Sequence, residues 1–304
     1  MDSSLASVYA AALTFRTAEG GLDRELSLRH GRFLLESGVD GVVVNGATGE
    51  YPATPGALFD SLVEAAAELN CPGGFLAGVG AADLESTLRL ARTATRAGAR
   101  AVLLPGPFFF RYSQDDIAHF CRTVAAECPV PIVLYNLPQF TNGYEPATAV
   151  DLVRDVPSII GIKDSSGSLD ILRDLTGPDG ALGWRAVGND QVLAAARAGK
   201  VSDAAISGVA AVLPELIVQL VNEPSETDRH QAAAVLLEEY LDQLQRFPTP
   251  WGIRWTAEYR GFGTARFLIP PSPHRQSQEA AFRGWFGQWW SRAESILAAA
   301  AVGL

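Results

Sequence analysis

The amino-acid sequence predicts an α/β protein folded as a (β/α)8 barrel, the TIM-barrel architecture, with a C-terminal helical extension. Its 304 residues are enough for such a barrel and an extension. Eight short apolar segments alternate with helical patterns before about residue 223, and a hydrophobic content of 48% allows a large interior. An open doubly wound sheet is the alternative, but the sequence has no glycine-rich dinucleotide-binding loop to favour it.

Each predicted strand is a nearly continuous apolar segment, which is typical of parallel strands that are buried on both faces. The predicted strands are Val8–Thr14, Gly41–Asn45, Gly74–Val79, Ala101–Leu104, Pro131–Tyr135, Ile159–Lys163, Arg185–Val187 and Ala204–Ile206. The carboxyl ends of barrel strands lie on one face, so the polar residues that follow them are expected to meet there. These polar segments are Asn45–Glu50, Tyr135-Asn136, Lys163–Ser166, Gly188–Asp190 and Ser207-Gly208.

The predicted helices fill the intervals between the strands. Apolar residues at helical spacing predict helices over Leu22–Glu36, Asp83–Ala97, Ser113–Glu127 and Asp190–Ala198. Three of these helices are followed by a terminating glycine, at Gly38, Gly98 and Gly199. Thr54 is predicted to cap a further helix that has Pro55 at its first position.

The residues after the eighth unit contain helical patterns and no convincing strand. Helices are predicted over Asp228–Arg246, Pro250–Tyr259 and Gln278–Ala300. We therefore divide the chain into a catalytic barrel, residues 1–224, and an extension, residues 225–304, that packs on the barrel or on a neighbouring subunit. Trp285, Trp289 and Trp290 are predicted to form packing surface on this extension.

Charge and composition argue against several kinds of partner. A net charge of −10 opposes binding to nucleic acid or to anionic membranes, and the longest apolar tract is too short to span a bilayer. The four histidines lack metal-ligand spacing, so we expect no metal. We expect no organic cofactor either. The N-terminus lacks the basic segment of a secretory signal, and Cys71, Cys121 and Cys128 form no CxxC pair, which together favour a cytoplasmic protein.

Lys163 is the first candidate for a catalytic residue. Lys163 and Lys200 are the two lysines among 24 basic residues, and Lys163 directly follows the apolar run Ile159–Ile162. Burial disfavours the charged form of an ammonium group, and a neutral amine can attack a ketone to form an imine. The alternative is a lysine that pairs with Asp164 or extends its ammonium group to the mouth of the barrel.

Two further segments could support imine chemistry. Tyr135 ends the neighbouring strand, about 5 Å away, so its phenol could transfer protons as a general acid or base. The segment Gly46–Glu50 follows the second strand, and its glycines let backbone N–H groups converge on a carboxylate or a phosphate. Thr48 adds a hydroxyl that could hold both that carboxylate and the Tyr135 phenol. Ordinary packing of the tyrosine and an ordinary tight turn are the alternatives.

Taken together, these segments resemble the dihydrodipicolinate synthase/N-acetylneuraminate lyase family of class I aldolases. Gly46-Ala47-Thr48-Gly49-Glu50 is similar to the family's G-[TS]-T-G-E loop. Tyr135-Asn136-Leu137-Pro138 is similar to its Y-N-x-P motif, and residues 161–167 are similar to its G-[IV]-K-D-[ST]-[ST]-G motif. Residues 250–255 resemble the family's helical tail.

The resemblance implies that Lys163 forms a Schiff base with pyruvate, or with the pyruvate end of a 2-oxo acid. It also implies that Tyr135 transfers protons and that Thr48 and neighbouring amides, among them that of Ala47, hold the carboxylate. An aldehyde is the implied second partner. Family members commonly assemble as homotetramers built from two dimers, so a homotetramer or a homodimer is expected.

Three segments depart from the lysine-pathway synthase branch of the family. That branch has an arginine two positions after the Y-N-x-P proline to bind the second substrate's carboxylate, and Phe140 stands there. The loss removes a charge-assisted contact worth ~1.5–3 kcal/mol. Phe108-Phe109-Phe110 stand where that branch has a proton-relaying tyrosine pair, and Ala47 replaces the first threonine of the loop. Tyr112 is a candidate for the missing relay.

The remaining predicted substrate-binding residues surround the proposed imine. The segment Ile206–Val209 is more similar to the branch that cleaves 2-keto-3-deoxy sugar acids. Hydroxyl groups of such a substrate could be bound by Ser165, Asp190, Ser207 and Asn142, and Gly188 and Ile206 complete the predicted site. Phe109 and Phe140 would instead favour a less polar or aromatic aldehyde, unless they only pack at the barrel rim.

The leading hypothesis is a reversible aldolase that cleaves a 2-keto-3-deoxy-type acid into pyruvate and an aldehyde. Two further enzymatic hypotheses are 4-hydroxy-tetrahydrodipicolinate synthase activity and dehydration of a substrate on the same imine. A binding or regulatory protein without catalytic activity is the hypothesis from a different class, and the intact Lys163, Tyr135 and Thr48 argue against it.

Overall fold

A closed barrel of eight parallel strands forms the body of the protein. The computed structural model describes residues 5–177 and 180–302. The strands are β1 (Val8–Ala11), β2 (Gly41–Val44), β3 (Phe75–Gly78), β4 (Ala101–Pro105), β5 (Ile132–Asn136), β6 (Ile159–Asp164), β7 (Trp184–Val187) and β8 (Ala204–Ser207). All eight predicted strands are confirmed. Because β8 returns to pair with β1, the open doubly wound sheet is excluded.

The helices that follow the strands surround the barrel. They are α1 (Arg24–Glu36), α2 (Gly56–Glu68), α3 (Leu84–Arg96), α4 (Gln114–Glu127), α5 (Pro146–Asp155), α6 (Asp170–Asp174), α7 (Leu193–Ala198) and α8 (Pro214–Asn222). Asp23, Asp83 and Ser113 cap α1, α3 and α4 by accepting a backbone N–H with their side chains. The prediction that Thr54 caps α2 is wrong, because Thr54 ends a short 3₁₀ turn and Pro55 occupies the cap position.

Strand alternation decides which side chains enter the barrel. In β5, Val133 and Tyr135 belong to the cluster inside the barrel, whereas Ile132 and Leu134 pack beneath the helices. Lys163 of β6 pairs in register with Tyr135 on one side and with an alanine of the interior cluster, residue 186, on the other. The register therefore places the amine and the phenol side by side at the carboxyl ends of adjacent strands.

Three helices follow the barrel, namely α9 (Asp228–Leu244), α10 (Trp251–Tyr259) and α11 (Pro273–Val302). Helix α9 packs on α8, and α11 packs on α9 and α10. The tryptophans predicted as packing surface lie in these contacts: Trp289 is buried and stacks on Tyr240, with ring centroids 5.5 Å apart. Across residues 5–177 and 180–302, none of the helices has the length and apolar character needed to cross a membrane.

His30 is a buried ionisable group in the interface between α1 and its neighbours. Its Nε2 lies 2.6 Å from the carbonyl oxygen of Ala211, and the rings of Phe15 and Phe262 approach it edge-on at 5.1 and 4.9 Å. Burial lowers the pKa of His30 from 6.5 to about 4, although the contact with Ala211 acts in the opposite direction. The folded protein therefore holds this imidazole neutral where the unfolded chain already binds a proton.

Stability should depend on pH through His30. The contribution of the neutral imidazole is fully present above pH 6.5 and is lost as the pH falls toward 4. The difference between the pKa values of His30 in the unfolded and the folded protein corresponds to about 3 kcal/mol of unfolding free energy. Urea unfolding of His30→Gln, measured across this range, should show a shallower loss of stability than the wild type. His274→Gln, a change at an exposed histidine, is the control and should follow the wild-type curve; identical curves for all three proteins would contradict the assignment.

Candidate active site

A pocket of about 290 Å³ opens at the carboxyl ends of the barrel strands. Its lining combines strand-end residues with residues of the C-terminal helices α9 and α10 and of the segment between them. Eight of the eleven predicted site residues line this pocket, namely Ala47, Thr48, Tyr135, Phe140, Lys163, Ser165, Gly188 and Asp190. The convergence of polar strand ends inferred from the sequence is therefore present in the fold.

Lys163 and Tyr135 lie side by side in the pocket. The Lys163 Nζ lies over the face of the Tyr135 ring, 4.2 Å from its centroid, and both side chains are buried. Strand alternation turns Asp164 to the opposite face of β6 from Lys163, and there its Oδ1 accepts hydrogen bonds from the Asn136 side chain at 3.0 Å and from the Ser166 backbone N–H at 2.8 Å. The amine is thus directed into the pocket beside a phenol that can exchange protons.

Gly188 keeps space open beside the amine. A Cβ atom at this position would lie 2.6 Å from the Lys163 Cε and 2.1 Å from the Ser165 Oγ. The Ser165 hydroxyl is buried and has no hydrogen-bond partner within the described part of the protein. Because a buried hydroxyl without a partner is costly, this group is available to bind an oxygen atom of a substrate.

The Gly46–Glu50 loop is held in place by a buried carboxylate. Glu50 adopts a left-handed conformation (φ 61°) and forms ion pairs with Arg254 of α10 and, at 2.7 Å, with Arg16. Arg254 also donates to the carbonyl oxygen of Thr14 at 3.1 Å. Burial lowers the pKa of Arg254, and the charge of Glu50 opposes this shift. The ion pairs of Glu50 with Arg16 and Arg254 consequently hold the loop that carries Thr48 in position.

Asp190 is the acidic side chain of the pocket. Its Oδ2 accepts the backbone N–H of Val209 at 3.2 Å, and it also interacts with the Ser207 hydroxyl. Burial raises the pKa of Asp190, whereas these hydrogen bonds and the positive charge of Lys163 act in the opposite direction. Asp190 and Lys163 line the same pocket, so it holds an acidic group as well as the amine.

Three predicted site residues lie outside the pocket lining. Ile206 is fully buried in the barrel interior, and the Ser207 hydroxyl, also buried, accepts the backbone N–H of Ala210 at 2.9 Å. Phe109 has a left-handed backbone (φ 78°) and is 87% exposed, with its ring against Phe110. Strand alternation turns Ser207 away from the barrel interior that Ile206 enters, and the loop conformation leaves Phe109 exposed.

Asn142 and Tyr112 also lie outside the pocket lining. The Asn142 amide donates to the carbonyl oxygens of Pro107 and Phe110, at 2.6 and 2.7 Å, and its Oδ1 accepts the backbone N–H of Tyr112. Asn142 therefore braces the loop after β4. Tyr112 is 41% exposed and does not line the pocket.

Two features were not predicted from the sequence, namely a buried phenol next to Tyr135 and one wall of the pocket. Tyr51 lies in the same interior cluster as Tyr135, and burial together with the neighbouring Tyr135 raises its pKa. Its position directly after the Gly46–Glu50 loop was a usable signal. The missed wall consists of Leu241, Leu244, Phe247 and Ile253, which no local motif connects with the barrel.

The fold and the pocket define a class of protein, a (β/α)8-barrel enzyme with a buried amine and phenol at the ends of neighbouring strands. The chain belongs to the dihydrodipicolinate synthetase family, whose model matches residues 4–284. It is accordingly a lyase of this family, which confirms the resemblance inferred from the three motifs. Within the described residues, no group of three His, Cys, Asp or Glu side chains is arranged to bind a metal.

Relatives and solved structures agree with this assignment. The chain is 34% identical to 4-hydroxy-tetrahydrodipicolinate synthase 1 of Streptomyces coelicolor over 226 residues, 73% of this chain and 72% of that protein. It is 35% identical to the 4-hydroxy-tetrahydrodipicolinate synthase of Desulforamulus reducens over 149 residues, which is 47% of this chain and 49% of the relative. The fold is similar to that of YagE from E. coli K12, a structure in complex with pyruvate, with a TM-score of 0.84, 24% identity and coverage of 94% of this chain and 99% of that one.

Filling the space at Gly188 should disable the site without unfolding the protein. In Gly188→Ala the three atoms nearest to the new methyl group are the Ser165 Oγ and the Lys163 Cε and Cγ, so side-chain atoms rather than backbone must shift, and they lose their alignment. We expect imine formation with pyruvate to slow by about a hundredfold, the usual effect of a 1 Å misplacement. Gly284→Ala, where a Cβ meets nothing within 4 Å, is the matched control. Equal rates of borohydride trapping in the two variants would show that Gly188 has no such role.

Removing Arg254 should destabilise the protein far more than removing an exposed arginine. In Arg254→Met the buried Glu50 loses one of its two cations, and we expect the free energy of unfolding to fall by about 3 kcal/mol. Arg292→Met breaks the more exposed pair with Glu239 and should cost no more than about 1 kcal/mol. Urea unfolding measures both changes, and similar small losses would argue against a structural role for the buried pair.

Proposed function

We propose that this protein is a reversible class I aldolase that forms a Schiff base between Lys163 and pyruvate, or the pyruvate end of a 2-oxo acid. The observation that carries the proposal is the position of the Lys163 amine, buried in the pocket and 4.2 Å from the centre of the Tyr135 ring. An amine in this setting can act as a nucleophile, and the phenol beside it can exchange the protons that imine formation requires.

Imine formation begins with the neutral Lys163 amine. Its nitrogen adds to the C2 carbonyl carbon of the 2-oxo acid, and the carbonyl oxygen leaves as water after it takes up two protons, one from the amine and one delivered through Tyr135. The resulting iminium keeps one positive charge. Asp190, the acidic side chain that lines the same pocket, is suited to stabilise that charge.

Cleavage uses the iminium as an electron sink. A hydroxyl on C4 of the substrate loses its proton to Tyr135, the C3–C4 bond breaks, and C4 leaves as the carbonyl carbon of an aldehyde. The electron pair of the broken bond forms the C2–C3 double bond of an enamine while the iminium nitrogen becomes neutral. Protonation at C3 and addition of water then release pyruvate and regenerate the amine. The unpartnered Ser165 hydroxyl is available to orient an oxygen of the substrate.

The substrate carboxylate is assigned to the Gly46–Glu50 loop. Thr48 and Ala47 line the pocket, and the hydroxyl and backbone N–H groups of this loop are neutral donors suited to a carboxylate.

Assembly into a homotetramer or a homodimer is part of the proposal. Phe109 and Phe110, both largely exposed at the rim, are side chains that such an assembly could cover.

Cleavage is favoured over the lysine-pathway synthase reaction by the charges of the pocket. Among the described residues that line it, the charged side chains are Lys163 and Asp190. A second substrate with its own carboxylate would therefore find no cation beyond the lysine that is consumed as the nucleophile. Phe140, which is 60% exposed at the pocket, occupies the position where the synthase branch has an arginine.

Replacement of Lys163 should abolish both the covalent adduct and turnover. Incubation of the wild type with pyruvate and borohydride should add the mass of one reduced pyruvate to Lys163. Lys163→Arg should show no adduct, and its release of pyruvate from 2-keto-3-deoxy acids should fall by at least about a thousandfold, because guanidinium keeps its proton.

Lys200→Arg is the matched control, since residue 200 is the other lysine and is exposed. It should retain the adduct and the wild-type rate. Substantial pyruvate release by Lys163→Arg would overturn the imine mechanism. A wild type that forms the adduct and consumes 2-keto-3-deoxy acids without releasing pyruvate would instead be a dehydratase.

A further inference from the structure

One wall of the pocket is apolar and comes from the C-terminal helices rather than from the barrel. Leu241 and Leu244 project from α9, Phe247 follows that helix, and Ile253 lies on α10; Gln245 and Thr249 of the same stretch add polar atoms to the lining. We call the four nonpolar residues the apolar wall. Phe140 and Leu137 of the loop after β5 also line the pocket, so nonpolar groups face it from two directions.

The apolar wall is held in a fixed position. A Cβ on Gly252 would lie 2.4 Å from the Leu244 Cδ2, so α10 approaches that leucine as closely as a glycine allows. The Phe247 ring meets Trp255 edge-on, with centroids 4.8 Å apart. On the barrel side, the Ile253 Cδ1 and the Thr48 Oγ1 both lie within 3.4 Å of the point where a Cβ of Gly208 would be. The wall therefore begins beside the loop assigned to the substrate carboxylate.

Several polar groups of the pocket are already engaged by the protein. The Gln139 amide donates to the carbonyl oxygen of Ser165 at 2.9 Å, and the Asn189 Oδ1 accepts the backbone N–H of Gln191 at 3.0 Å. A charged or polyhydroxylated substrate end placed on the apolar wall would lose water without gaining equivalent partners. An apolar end placed there gains the free energy of burying its surface.

We propose that the apolar wall binds the side chain of the aldehyde, so that the carbonyl partner of pyruvate is an uncharged aliphatic or aromatic aldehyde. The inference rests on the proposed function, because it concerns the second substrate of the same imine. In the condensation direction, C3 of the enamine bonds to the aldehyde carbon, the aldehyde oxygen takes the proton from Tyr135, and hydrolysis of the imine releases the product. Leu244 and Phe247 contact the part of the aldehyde that does not react.

A panel of aldehydes tests the proposal. The wild type is incubated with pyruvate and with isovaleraldehyde, glyceraldehyde or succinic semialdehyde, and the condensation products are quantified by mass spectrometry. We expect kcat/KM for isovaleraldehyde to exceed the values for both other aldehydes by at least about tenfold, the discrimination that one or two buried methylene groups provide. Equal values, or a preference for the polyol or the acid, would overturn the inference.

A matched pair of variants tests whether the apolar wall causes the preference for isovaleraldehyde. Leu244→Ala should lower the isovaleraldehyde advantage by about tenfold, because it removes apolar contacts from the wall. Val235→Ala, on the exposed side of the same helix, should leave the advantage unchanged. An unchanged advantage in Leu244→Ala would refute the assignment to the wall. If Leu244→Ala does not fold, the wild-type preference decides alone.

Borohydride trapping with pyruvate separates failure of the inference from failure of the proposed function. The wild type and Val235→Ala should form the Lys163 adduct at similar rates, since the substitution lies outside the pocket lining. A wild type without the adduct contradicts the proposed function itself. An adduct without apolar preference contradicts only the assignment of the second substrate.

Discussion

The buried ion pair between Glu50 and Arg254 connects the two halves of the active site. Glu50 ends the loop that carries Thr48, and Arg254 directly follows Ile253 of the apolar wall. A buried pair of this kind contributes little net stability compared with apolar packing, but leaving one partner alone in the interior is costly. The pair therefore fixes the position of α10 relative to the barrel rather than adding much stability. Any arrangement in which α10 moves away from the barrel leaves Glu50 with Arg16 alone, so the loop and the wall keep one relative position.

The barrel supplies the other constraint, which is the register between β5 and β6. Pairing of Tyr135 with Lys163 sets their backbones one strand apart, and the alternation of side chains sends both into the barrel. The lysine then needs space, and Gly188 of the strand-to-helix loop after β7 provides it. Three neighbouring strands thus contribute one element each: a phenol, an amine and an open volume beside them.

The sequence predicted the parts of this architecture that depend on local patterns. Strands buried on both faces appear as apolar runs, and the polar residues that follow them lie at strand ends, so Lys163, Tyr135 and Thr48 could be assigned to one pocket. The apolar wall could not, because Leu244 and Ile253 reach the pocket only through packing between distant segments. Phe109 shows the same limit, since its left-handed backbone and exposure follow from the loop conformation rather than from its proximity to the motif.

Charge balance explains why an apolar second substrate suits this pocket. The two ionisable side chains that line the pocket, Lys163 and Asp190, are one base and one acid, so the pocket offers no excess of basic groups. Under the proposed function, the carboxylate of the 2-oxo acid brings one negative charge, which the neutral donors of the Gly46–Glu50 loop must stabilise without a cation of their own. The net charge of the chain, −10, does not help to stabilise this negative charge. A second carboxylate would remain uncompensated in a half-enclosed space, whereas an apolar side chain adds no charge and gains the surface offered by α9 and α10.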